Sequence, residues 1–133
     1  MYHGTPSANR TSILLEEYLE DSTDLIDEIE QVLLTIEKEG SGEHLWDCLM
    51  RTLHSFKGSA QLMGLDSIVS VAHAMESLVS EYRHEELNSD SISAALCFEC
   101  IDLLRSLEKE LSISGTCSQD ISPLLHKISE SET

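Results

Sequence analysis

Between Pro6 and Pro123 the chain contains no proline, and most of its six glycines lie near the ends or between periodic stretches. Proline breaks a helix interior because it lacks an N–H and its ring clashes with the preceding turn. Long segments are therefore free to be helical, and apolar residues recur along them at helical spacing. Leu15, Tyr18, Leu25, Ile29, Val32, Leu33 and Ile36 form a first stripe with acidic residues opposite, and Gly40-Ser41-Gly42 ends that helix. A second helix starts near Glu43, buries Leu45, Leu49, Leu53, Phe56, Ala60 and Met63, and stops at Gly64. Asp66 is a natural N-cap for a third, which buries Ile68, Val71, Ala72, Met75, Leu78, Val79 and Tyr82.

Ser89, Asp90 or Ser91 caps a fourth helix with the stripe Ile92, Leu96, Cys100, Leu103, Leu107 and Leu111, broken by Gly115. Ser122 before Pro123 opens a short fifth helix, docked by Leu124, Leu125 and Ile128, because proline suits the first helical position. No segment alternates with period two. The predicted class is all-α, an antiparallel four-helix bundle with a short fifth C-terminal helix. Residues 1–11 read as a flexible lead-in, 12–131 as the domain, and 129–133 as a frayed tail.

A formal charge of −17, from 25 acidic and 8 basic residues, excludes the functions that need a basic surface. Such a chain repels nucleic acid and anionic lipid. No apolar run approaches the roughly 20 residues of a membrane helix, and the first residues lack a signal pattern, so a cytoplasmic protein is expected. Cys97 and Cys100 read C-x-x-C, but both continue apolar helical stripes, without the second ligand pair of a zinc site. Packing is the expected role.

The second helix carries the residues with chemistry. His54 has Met50 and Arg51 one turn before it and Lys57 and Gly58 one turn after, a polar strip beside the buried one. Its imidazole is therefore expected to be accessible. Arg51 and Lys57, two of only eight basic side chains, would offset negative charge placed there. Glycine inside a helix costs about 1 kcal/mol against alanine. Gly58 thus either lets two helices approach closely or leaves room beside His54. On the third helix His73 and Glu76 share a face. Glu76 is either a solvated carboxylate or one that reaches His54 and fixes its tautomer; spacing alone does not decide.

Taken together, His54, Lys57, Gly58 and Gly64 closely resemble the H-x-x-K-G-x-x-x-x-x-G signature of histidine phosphotransfer (HPt) domains. His73-Ala-Met-Glu76-Ser-Leu78 resembles the H-x-M-E-x-L segment in the N-terminal phosphotransfer domain of chemotaxis kinases of the CheA type. The helix order agrees from about residue 12 to 130. The resemblance implies that His54 is the phosphoacceptor, that Glu76 hydrogen-bonds and orients it, that Lys57 and His73 complete a polar network, and that Gly58 keeps access open. Lys57 is also expected to compensate the phosphate charge. Ser59 departs mildly, since many CheA sequences have glycine there.

The implied function is that of a phosphocarrier. It would accept a phosphoryl group from a histidine-kinase catalytic domain and pass it to an aspartate of a CheY-like response regulator. No glycine-rich phosphate loop is present, so ATP and Mg2+ are expected on partner domains, with no cofactor or metal here. A longer parent, if one exists, would be a CheA-type kinase. Neither nucleic acid nor membrane insertion is expected, and the domain is expected to be monomeric. Two other readings remain: a non-phosphorylated adaptor that docks signalling proteins, and a metal-binding bundle built on Glu81-x-x-His84. The latter needs two such motifs, and only one is present. His3, His44 and His126 are assigned to surface roles.

Overall fold

Helix α1 spans Thr5–Glu39, α2 Glu43–Leu62, α3 Asp66–His84, α4 Ile92–Ser114 and α5 Ser122–Ser131. They belong to a computed structural model that describes residues 5–40, 42–85 and 91–131, with side chains from residue 13 onward. Among the described residues there is no strand, and no helix is long and apolar enough to cross a membrane.

Cross-helix contacts give the register. Thr52 donates to Glu28 at 3.1 Å between α2 and α1. Arg105 of α4 meets Asp27 and Glu30 of α1 at 2.9 and 2.8 Å, and further along the pair Ser22 donates to Glu108. Rising numbers on one helix face falling numbers on the next, so the four long helices run antiparallel. Ile26, Leu33, Leu53, Phe56, Met75 and Leu104 meet at the centre with at most 1% exposure. Each buried side chain of this size contributes about 2 kcal/mol. Toward one end Trp46 packs edge-on to Tyr82 at 5.4 Å, with Arg83 over its ring. Helix α5 lies against α3 and α4, buries Ile128, and pairs Lys127 with Glu99 at 3.0 Å.

The predicted stripe of α3 is buried in full. Gly64 and Gly115, at φ +71° and +78°, end α2 and α4 in the left-handed conformation that glycine adopts without strain. Ser91 caps α4 through the Ala94 N–H at 3.2 Å; Ser89 and Asp90 lie outside the described residues.

Four expectations are corrected. The first helix begins at Thr5, not after residue 11: Pro6 falls in its first turn, where no intrahelical N–H is needed. Asp66 is the first helical residue rather than the cap; Leu65 holds that place without a side-chain bond, and Asp66 instead favours the positive end of the helix dipole. Ile92 is 65% exposed, because α4 begins there and its first residue lies beyond the packed part of the stripe. The tail is helical through Ser131, and α5 is capped by Asp120, which accepts from the Ser122 N–H at 3.0 Å.

The thiols of Cys97 and Cys100 are fully enclosed. Burial, with Cys100 next, pushes Cys97 up, and burial with Glu99 pushes Cys100 up to about 12. Both stay protonated, as packing residues do.

Two buried polar groups, Ser22 and Glu108, face each other in the α1–α4 seam where sequence predicts none. Glu108 is 7% exposed. Burial pushes its carboxyl above the ordinary range, and the Ser22 hydroxyl and Arg105 offset only part of that. The folded chain therefore holds this proton at pH values where the unfolded chain has lost it, so stability falls as pH rises from the ordinary carboxylate value through the raised one. Glu108→Gln keeps an acceptor for Ser22 and removes the ionisation. It should raise stability at pH 8 by about 1 kcal/mol and flatten this part of the profile. Thermal melts of both proteins from pH 4 to 8 check this; parallel curves would contradict it.

Candidate functional site

The Gly64 turn folds α3 back along α2 and sets their facing residues in register. That register brings His54 and Lys57 of α2 to Glu76 of α3. Glu76 is the hub. Its Oε1 accepts from Lys57 Nζ at 2.6 Å, and its Oε2 lies 3.3 Å from His54 Nδ1. His73 Nδ1, one turn before Glu76 on α3, lies 3.6 Å from Oε1, at the margin of contact.

Exposure divides these residues into two layers. Lys57 and Glu76 are 15% and 14% exposed, whereas His54 and His73 are 75% and 74% exposed. The ion pair forms a floor and the imidazoles stand above it. The predicted accessibility of His54 matches its place in the fold.

Electrostatics assign the hydrogen on His54. Burial pushes the Glu76 carboxyl upward, but the hydrogen bonds from Lys57 and His54 outweigh it and hold the group below its ordinary value. Glu76 is therefore a carboxylate at neutral pH and can only accept. The His54–Glu76 bond then requires hydrogen on Nδ1, leaving the Nε2 lone pair free at the opposite edge of the ring. A neutral imidazole so oriented is a nucleophile.

Gly58 resolves its two alternatives. A Cβ there would meet no side chain and no neighbouring helix within 4 Å, so close helix packing does not require the glycine. The space lies on the half-exposed surface one turn from His54.

Sequence reasoning missed a shallow groove of about 410 Å³ beside His54, lined also by Met50, Arg51 and Ser55. The clue was available: helical side chains lean toward the N-terminus, so His54 leans over the turn that carries Met50 and Arg51. Lys57 joins the polar network of the site through Glu76, to which its ammonium is committed. Glu81 and His84 are both exposed at the C-terminal end of α3, His44 and His126 are exposed, and His3 lies outside the described residues.

Comparison with known proteins gives consistent findings. A family model for the Hpt domain matches residues 13–111. The chemotaxis protein CheA of Listeria innocua is 26% identical over 130 residues, covering 92% of this chain and 21% of the relative. The gliding motility regulatory protein of Myxococcus xanthus is 29% identical over 119 residues, covering 87% and 15%. The chain thus spans about a fifth or less of the length of these curated relatives. Among solved structures, the phosphorylated P1 domain of CheA3 in complex with CheY6 from R. sphaeroides shares the fold. Its TM-score is 0.71 at 24% identity, with 88% of this chain and 96% of that one covered. The family match takes in α2 and α3 with all of His54, Lys57, Gly58, His73 and Glu76, and the chain belongs to the Hpt domain family.

Proposed function

We propose that this domain is a phosphocarrier. His54 accepts a phosphoryl group from the ATP-bound catalytic domain of a histidine kinase and passes it to an aspartate of a CheY-like receiver domain. The observation that carries this reading is an exposed imidazole whose Nδ1 is tied to a carboxylate while Nε2 stays open. The parent of such a domain would be a CheA-type kinase, in keeping with the greater length of the relatives.

The chemistry is short. The Nε2 lone pair attacks the γ-phosphorus; an N–P bond forms as the P–O bond to the departing ADP breaks. The ring becomes cationic, and the Glu76 carboxylate at Nδ1 offsets that charge. On transfer, an aspartate oxygen attacks phosphorus, and the N–P bonding pair returns to Nε2. ATP and Mg2+ act on the partner domains. This domain contributes position and charge, which dominate phosphoryl transfer.

Gly58 serves the partner's approach. Gly58→Ala is expected to stabilise the helix by about 1 kcal/mol, since its methyl group has room. The same change should slow transfer to a receiver domain several-fold. Melting curves and transfer rates should move in opposite directions; a faster transfer would remove access as the reason for the glycine.

The direct test is incubation with ATP and a CheA-type catalytic domain, followed by acid and base. The expected label is lost in acid, survives base, and leaves the domain when a receiver is added. An acid-stable label would overturn the reading, and no label at all would favour an adaptor that only docks signalling proteins.

A further inference from the structure

A phosphoryl group on His54 needs its charge met. A phosphoryl group brings between one and two negative charges and three acceptor oxygens, and Lys57 is poorly placed to meet them. Its ammonium is 2.6 Å from Glu76, and both side chains are largely enclosed. Drawing Lys57 onto a phosphoryl group would remove the shorter of the two bonds that hold that carboxylate, and weakening a largely enclosed ion pair is costly.

Arg51 is differently placed. It is exposed, one turn before His54, and lines the same groove with Met50 and Ser55. Arg83, the other arginine on α2 or α3, is paired with Glu43. Among the described residues, Arg51 is the basic side chain on these two helices with no acceptor. Helical side chains lean toward the N-terminus, the direction of Arg51 from His54, and Nδ1 of His54 is already held by Glu76. A planar guanidinium presents a fork of N–H donors that matches two phosphoryl oxygens.

Resting on the phosphocarrier reading of His54, we propose that Arg51 is the side chain that binds the phosphoryl oxygens on Nε2, while Lys57 serves as a positioning residue that keeps Glu76 ionised and in place. The division separates two cations of α2: Lys57 is committed inside the site, and Arg51 is available for the incoming group.

The experiment uses the full chain and phosphoramidate as donor, so that no partner protein intervenes. The Nε2 lone pair forms the N–P bond as the donor's P–N bond breaks and ammonia leaves; the ring keeps its Nδ1 hydrogen. Wild type, Arg51→Ala, Arg51→Lys and Lys57→Met are labelled, and the phosphohistidine 31P resonance is followed against pH.

All four should carry label on His54. Losing a cation about 4 Å away in water should move protonation of the phosphoryl oxygens upward by about half a pH unit in Arg51→Ala. The KM for phosphoramidate should rise several-fold, and Arg51→Lys should restore part of both. An Arg51→Ala titration identical to wild type would overturn the inference while leaving His54 as carrier, as would a shift confined to Lys57→Met. Failure of wild type to take label would overturn the phosphocarrier reading and this inference with it.

Discussion

His54→Gln should abolish phosphorylation and leave the bundle intact. The imidazole is 75% exposed and makes one long bond, to Glu76 at 3.3 Å, so the fold should change by no more than about 0.5 kcal/mol. Glutamine keeps a polar side chain of similar reach, but its amide nitrogen has no available lone pair. With ATP and an active kinase catalytic domain, labelling should fall to background, below about 1% of wild type on the scale of losing a nucleophile. Circular dichroism and the melting temperature should be unchanged. Normal labelling of this variant would mean that another residue is the acceptor.

Glu76→Ala should have the second largest effect. The change frees the His54 ring from its tautomer anchor and leaves Lys57 without its partner. Losing the carboxylate that orients a metal-bound histidine costs about 10–100-fold in activity, and phosphorylation of His54 should slow by a factor of that order in a folded domain. Glu76→Gln should fall between the two, because it keeps an acceptor but not the charge.

The pH dependence of stability also reports on this residue. The carboxyl is held below its ordinary value in the folded chain, so the unfolded chain binds its proton first as pH falls. Its contribution is present above the ordinary carboxylate value and lost as pH drops through the lowered one. Glu76→Ala should lack this acid-side loss, seen as a smaller drop in melting temperature between pH 5 and 3 than in wild type. Unchanged rates and an unchanged acid profile would remove Glu76 from both roles.

Much of this was legible because helices write their own boundaries. Glycine at a left-handed stop marks a helix end whatever packs against it, and Gly40, Gly64 and Gly115 do so. Periodicity likewise exposed the whole buried face of α3. The parts that stayed hidden depend on how helices are rotated against one another. Ile26 and Trp46 are buried although the predicted stripes passed them over. Ser22 meets Glu108 across 86 residues, a pairing that no local pattern encodes.

The site divides in the same way. His54, Lys57 and Gly58 stand within five residues on one helix, so their proximity follows from helical geometry alone. Glu76 lies on another helix, and its approach to His54 needed the turn at Gly64 and the packing of Phe56 and Met75 behind it. Lys57 shows the limit most plainly. Sequence places a cation near the imidazole, but only the fold reveals that its charge is already matched by Glu76.

The chemistry turns on one atom, Nε2 of His54. Long-range 1H–15N correlation spectra of the phosphorylated chain distinguish the two ring nitrogens of each histidine, and 31P coupling identifies the one that bears phosphorus. The predicted result is a single phosphohistidine at position 54, with phosphorus on Nε2 and hydrogen retained on Nδ1. Phosphorus on Nδ1, or on any residue other than His54, would rule out Nε2 of His54 as the phosphoacceptor.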